Sequence, residues 1–279
     1  MPNHMWLRIE SFQNRRVKEA IALRKSDERR NTGRIIIDGV REIERACEAG
    51  VLIEEVFYSP TLAPEKARQL VEMLAGRNVT ILEVPKRLFE KIAYGEREEG
   101  IVAIARSPTF SLKELTLKNG PEAPLVLVVE GIEKPGNLGA MIRTADGAGV
   151  AAVVAADIRC DVYNPAAIRA SLGTIFCLRV VAASSAEVLE FLQQHALKCV
   201  AARVDGAVAY FEEDLTGPTA VVLGSEAEGL SPIWRQGWVK SVRIPMLGRA
   251  DSLNVSVAAA VLLYEARRQR MVSGVSAQV

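Results

Sequence analysis

Apolar and polar residues fall in blocks along the chain, and the block lengths predict the elements. Residues 11–30 read as one polar, basic helix in which Val17, Ile21 and Leu23 supply the apolar contacts. RIIIDGV (34–40) follows as a strand, then a helix through Ala49 that Gly50 ends, since glycine tolerates left-handed geometry. VLIEEVFYS predicts a strand, Pro64–Ala75 a helix, VTILEV a strand, PKRLFEKIA a short helix and GIVAIAR a further strand. This alternation is that of a small α/β layer over residues 1–108.

TFSLKELTLKNGPEAP (109–124) breaks the rhythm and reads as a linker with a short helical turn at LKEL. From Leu125 the alternation restarts and runs through 125–279. LVLVVEGI is continuously apolar, as for a strand covered on both faces. The next helix, expected from Leu138, places Leu138, Met141, Ile142, Ala145 and Ala148 on one face. AAVVAAD is a second strand. NPAAIRASLG is a short helix capped by Asn164, with Pro165 at its first position and Gly173 at its end. LRVVA, CVAARV, TAVVLGS and VKSVRIP are further strands. SAEVLEFLQQH is a helix whose Ser184 and Glu187 are spaced as a capping box. A last helix runs from about Leu253 to Arg270. The pattern predicts an open, mostly parallel sheet with helices on both faces.

Charge refines this picture. The chain has 279 residues, 49% of them apolar, and a net charge of +1. Residues 1–34 carry a net +5, so an amino-terminal basic arm sits on a slightly acidic body. Such an arm suits a polyanion; read alone, it is equally a solvated helix face. Two histidines and four scattered cysteines, with no CxxC pair, exclude a histidine metal cluster and a disulfide framework. MPNHMWLRIESFQ lacks the apolar core of a secretory signal, and the apolar runs are too short to span a bilayer. A cytoplasmic protein is expected.

Ligands of such sheets bind beyond the carboxyl ends of strands. Three segments fall there: KPGNLGAMIR (134–143), LGSEAEGLS (223–231) and IPMLGRADSLNVSVA (244–258). The first is neither a Walker loop nor a GxGxxG fingerprint, which argues against a nucleotide-dependent oxidoreductase. Taken singly, each has an ordinary reading. Arg143 sits where Asp146 would make an i,i+3 surface pair. Glu226 and Glu228 are then loop acids, and Ser252 or Asn254 caps the last helix.

Together, NxGxxxR at Asn137–Arg143, LGSExxG at Leu223–Gly229 and IPM…SLNVSVA at Ile244–Ala258 resemble the three motifs of the SpoU (TrmH-like) branch of the SPOUT methyltransferases. NRRVKEAIALRKSDERRNTGRIIIDGVREIERA is similar to the opening of the ribosomal-protein-like RNA-binding domain that many members carry. It departs at Asp38–Gly39, where Glu-Gly is commoner. The resemblance implies an α/β fold: a carboxy-terminal parallel-sheet domain with a trefoil knot, plus a smaller amino-terminal α/β RNA-binding domain. It implies an S-adenosylmethionine-dependent RNA ribose 2′-O-methyltransferase, with 23S ribosomal RNA preferred as substrate over transfer RNA by domain layout. A non-catalytic RNA-binding protein is the other class left open.

Carried over by resemblance, Arg143 is the central catalytic residue, with Asn137, Glu226, Ser252 and Asn254 as the polar positions around it. Asn137 and Asn254 would orient Arg143 or the ribose, and Glu226 would hold Arg143, which would point into a pocket formed by the other two motifs. A guanidinium is a poor base, so Arg143 is expected to position the hydroxyl and stabilise alkoxide charge. Leu223, Gly224, Ile244, Met246 and Leu253 are the implied cofactor positions. The implied RNA grip comes from Arg15, Arg16, Lys18, Arg24, Lys25, Arg29 and Arg30, joined by Arg97. Family members are usually homodimers through the knotted domain.

Overall fold

The structure, a computed structural model, describes residues 6–95, 99–117 and 123–274; the Arg97 expectation therefore lies outside the described residues. The chain folds into two compact units, 1–108 with 163–177, and 109–162 with 178–279.

The first unit opens with a strand that the hydrophobic pattern missed, β1 (Trp6–Arg8). The predicted single basic helix is two: α1 (Arg15–Ala22) and α2 (Ser26–Thr32). Asn14 caps α1 by accepting from the Arg16 N–H at 2.9 Å, and the extended backbone of Lys25 separates the helices. The break lets Leu23 turn into the core while Arg29 folds back and donates to the Leu23 carbonyl at 2.7 Å. Then come β2 (Arg34–Asp38), α3 (Val40–Glu48), β3 (Ile53–Tyr58), α4 (Glu65–Gly76), β4 (Thr80–Glu83), α5 (Lys86–Ile92) and β5 (Ile101–Arg106), each where the pattern placed it. The sheet order is β1-β4-β3-β5-β2; β1, β4 and β3 are parallel, and β5 is antiparallel to both β3 and β2.

In the second unit, residues of the expected linker join the core: Leu115 is buried in it, and Phe110, Leu112 and Leu117 pack against it half-buried. The elements are β6 (Leu125–Glu130), α6 (Pro135–Gly147) and β7 (Ala152–Ala156). The chain then contributes α7 (Pro165–Ala170) to the first unit and resumes with β8 (Val180–Ala183), α8 (Ser185–Gln194), β9 (Lys198–Ala202), the two-residue β10 (Val208–Ala209), β11 (Thr219–Leu223), β12 (Lys240–Arg243) and α9 (Val255–Val272). Only β10 had no sequence signal. All seven strands pair in parallel, in the order β10-β12-β9-β11-β6-β7-β8. All six residues of β6 are buried, which explains the apolar run Leu125–Val129 that ends at Glu130. Each Val or Leu so buried contributes about 1.5–3 kcal/mol.

Within the first unit, residues 163–177 are held by polar contacts. Arg169 donates to the Tyr94 carbonyl at 2.8 Å and Arg45 to the Leu172 carbonyl at 2.6 Å. The left-handed Gly173 lies so close to Glu42 that a Cβ there would sit 2.9 Å from its Cα. Beside them, buried Asp38 accepts from the Tyr94 N–H at 2.6 Å. Burial pushes its carboxyl up to about 7, against the partial opposition of the Tyr94 hydrogen bond and Arg169. The folded protein thus holds a proton that the unfolded chain releases near the ordinary aspartate value of 3.8, so stability falls as pH rises from there to about 7. An Asp38→Asn variant is expected to gain on the wild type across that interval, by at most about 1.4 kcal/mol per pH unit, with the gain level above it. Urea denaturation at a series of pH values reads this directly; a pH-independent difference would show that Asp38 stays charged when folded.

Candidate active site

The carboxyl ends of β6, β7 and β11 lie side by side because the three strands are adjacent and parallel. Their following loops form the site. After β6 the chain passes Gly131 and enters α6 at Pro135, earlier than expected, since proline fits the first helical position. After β11 comes a tight excursion in which Ser225 and Gly229 bridge. Gly224 is required there: a Cβ would lie 2.1 Å from the Gly229 carbonyl carbon.

Beneath these loops lies a residue that the pattern did not single out. Glu130, the last residue of β6, is buried and accepts four hydrogen bonds. Its donors are Ser185 Oγ at 2.6 Å, Ser231 N and Oγ at 2.7 Å each, and Trp234 Nε1 at 2.8 Å. The carboxylate thereby anchors the end of the 224–230 loop to the central strand.

Above it, a pocket of about 190 Å³ is lined by Ile132, Glu133, Lys134, Asn137, Ser225, Glu226, Ala227 and Val255. Glu226 is its polar centre. It accepts from Lys134 Nζ at 2.8 Å, from Asn137 Nδ2 at 2.9 Å and from Asn254 Nδ2. Lys134 in the first place, then Asn137 and the Val255 N–H, hold its carboxyl below the usual range, so it stays ionised and is a weak base. Asn254 is committed at both ends, because its Oδ1 caps α9 by accepting from the Ser256 N–H at 3.0 Å and from its hydroxyl. Asn137 Oδ1 has no partner among the described residues, which leaves it as an acceptor in the pocket.

Three expectations change. Glu226 does not hold Arg143; Lys134, which sequence reasoning left out of the site, takes that place. Asn254 orients Glu226 and the start of α9 rather than Arg143. Arg143 does not line the pocket: it is exposed, and no hydrogen bond or ion pair joins its side chain to another described residue, Asp146 included. Six residues along a helix turn the side chain about 120° short of two full turns, so Asn137 and Arg143 face different ways. Ser252 is likewise exposed and outside the lining.

Among the proposed cofactor positions, Leu223 is buried and Ile244, Met246 and Leu253 are half-buried, while Leu247 between them is fully exposed. Residues 244–253 make no main-chain hydrogen bond to another described main-chain group. A long loop with unused donors and acceptors and half-buried apolar side chains suits a ligand with a flat ring and polar edges. The pocket itself is smaller than the roughly 300–1,000 Å³ typical of sites that bury a whole ligand, so it takes only part of one.

Of the basic residues assigned to RNA, Arg29 is a correction: it is buried and serves the Leu23 carbonyl. Arg16 pairs with Glu55 at 3.1 Å, and Arg24 donates to the Ile92 and Ala93 carbonyls. Arg15 and Arg30 make only exposed pairs within their helices, with Glu19 and Asp27, and Lys18 and Lys25 are exposed. Sequence cannot separate these fates, since all are cations on two short helices or in the break between them.

Two family models match the chain: the SpoU rRNA Methylase family over residues 124–264, and an MRM3-like substrate binding domain over residues 14–103. The chain belongs to the SpoU rRNA methylase family. It is 35% identical to the 23S rRNA (guanosine-2'-O-)-methyltransferase RlmB of Pseudomonas syringae pv. tomato, over 78% of this chain and 88% of that one. The crystal structure of an RNA 2'-O ribose methyltransferase resembles it with a TM-score of 0.81 and 42% identity, covering 95% of this chain and all of that one. The SpoU methyltransferase AviRb from Streptomyces viridochromogenes, solved with the cofactor AdoMet, gives 0.81 and 30% identity over 93% and 99% of the two chains. Within this family fold, the anchor at Glu130 makes a direct prediction. Glu130→Ala abandons buried donors on Ser185, Ser231 and Trp234 and should cost more than about 2 kcal/mol in urea unfolding; an unchanged midpoint would show that water replaces the carboxylate.

Proposed function

We propose that the chain transfers a methyl group from S-adenosylmethionine to a ribose 2′-hydroxyl of 23S ribosomal RNA, in the cytoplasm. Membership of a methylase family and the names of the RNA-modifying relatives support the reaction and substrate. The observation that carries the reading is the junction of the first two motifs with the third at Glu226, where Asn137 and Asn254 meet on one carboxylate. A non-catalytic binding protein has no need of that constellation.

In this reading residues 1–108 bind RNA, 109–124 join the two parts, and residues 125–279 form the methyltransferase with its knot. Leu223, Gly224, Ile244, Met246 and Leu253 hold the cofactor, whose sulfonium supplies an electrophilic methyl. Asn137 Oδ1 accepts from the ligand in the pocket. Arg143 positions the target hydroxyl and a neighbouring phosphate and stabilises the developing alkoxide; its guanidinium stays protonated and so is no general base. Ser252 contacts ribose or cofactor.

Among the described residues the Arg143 guanidinium has no partner, which supports assembly of the complete site in a homodimer. Val257, Tyr264 and Met271 recur every seven residues on α9 and are 48%, 53% and 59% exposed, a stripe suited to a helix-mediated interface.

Three outcomes follow. Arg143→Ala should lower methyl transfer by roughly 100-fold or more while leaving cofactor binding and melting unchanged. Mass-spectrometric mapping of ribose methylation in cells with and without the gene should lose one 23S position; a loss in transfer RNA would overturn the substrate. Tyr264→Glu should shift the protein toward monomer in sedimentation equilibrium, and a wild type that is monomeric at all concentrations would remove the dimer.

A further inference from the structure

Arg159 follows the carboxyl end of β7. Asp157, in left-handed geometry at φ +41°, turns the chain there, and the Arg159 N–H donates to the Ile132 carbonyl at 3.2 Å. The residue is therefore fixed by main chain at the edge of the pocket. Its guanidinium reaches across the two loops that build the site: Nη1 donates to Glu133 at 2.8 Å and Nη2 to Glu228 at 2.6 Å. Glu133 lines the pocket, and Glu228 lies two residues from Glu226.

All three side chains are about half or more exposed, at 48%, 57% and 64% for Arg159, Glu133 and Glu228. Exposed pairs of this kind add little to stability. The loops are already fixed from below by Glu130 and from the side by Glu226, so the bridge is not needed to hold them. What it does is neutralise. Without Arg159 the rim would present Glu133 and Glu228 as bare carboxylates to an approaching polyanion.

We infer that Arg159 is a phosphate receptor for the RNA strand entering the site, kept on Glu133 and Glu228 until a substrate phosphate replaces them. This rests on the RNA reading above. A phosphate offers the same fork of acceptors as a carboxylate, and it accepts bidentate donation from a guanidinium whose main chain does not have to move. The two acids then set a threshold: a strand binds only where its phosphate competes with them. Like other phosphate contacts, this one carries no base specificity.

The test is a cycle of variants with a uridine oligonucleotide as probe, read by filter binding across a salt series, with S-adenosylmethionine calorimetry as the control for an intact site. Arg159→Gln should weaken binding several-fold at low salt and reduce the slope of log K against log salt by about 0.7, one single-strand phosphate, with cofactor affinity unchanged. The double substitution Glu133→Gln, Glu228→Gln should tighten binding, and should do so clearly less in the Arg159→Gln background. An equal gain in both backgrounds would mean that the acids only repel RNA, and would overturn the proposal. So would an unchanged slope in Arg159→Gln, or a loss of cofactor affinity, which would make the bridge structural. A wild type that binds the cofactor and no RNA would instead overturn the RNA reading itself, and this inference with it.

Discussion

The buried carboxylate of Glu130 is the constraint around which the site is arranged. A carboxylate under the surface is tolerated only when donors surround it, and here a helix start and the segment after the 224–230 loop supply them. Because β6 is central in a parallel sheet, its carboxyl end is where neighbouring loops converge. Glu130 converts that convergence into a fixed floor. The loop above it then closes so tightly that Gly224 has no room for a side chain.

On that floor the polar groups divide their work. Glu226 collects amide and ammonium donors and stays ionised, which makes it an organiser rather than a proton acceptor. Asn254 ties it to the start of α9 and so links the third motif to the second. Among the described residues, Asn137 Oδ1 and the Arg143 guanidinium have no hydrogen-bond or ion-pair partner. In the first unit the same logic separates Arg29, whose charge is used by the fold, from Lys18 and Lys25, whose charges remain available.

The element boundaries were largely readable because burial imposes a period. β6 is apolar up to Glu130 since both faces are covered, and α6 repeats every three to four residues since one face is. Where the period was weak the reading failed. Residues 11–30 hold few apolar positions, so the break at Leu23–Lys25 left no trace in them; β1 and β10, of three and two residues, are too short to show any alternation. In residues 109–117 the opposite holds: polar residues masked Leu115, which is buried.

The sequence by itself determined the fold class, the three motifs and the family, because each is carried by residue types at fixed spacing along one chain. Tertiary structure alone decided which groups are partners. Glu130 and Trp234, Lys134 and Glu226, and Arg159 and Glu228 are separated by 104, 92 and 69 residues. Hydrogen bonds depend on distances of a few ångströms and on direction. No local pattern encodes them; they appear only when parallel strands bring remote loops to one edge of a sheet.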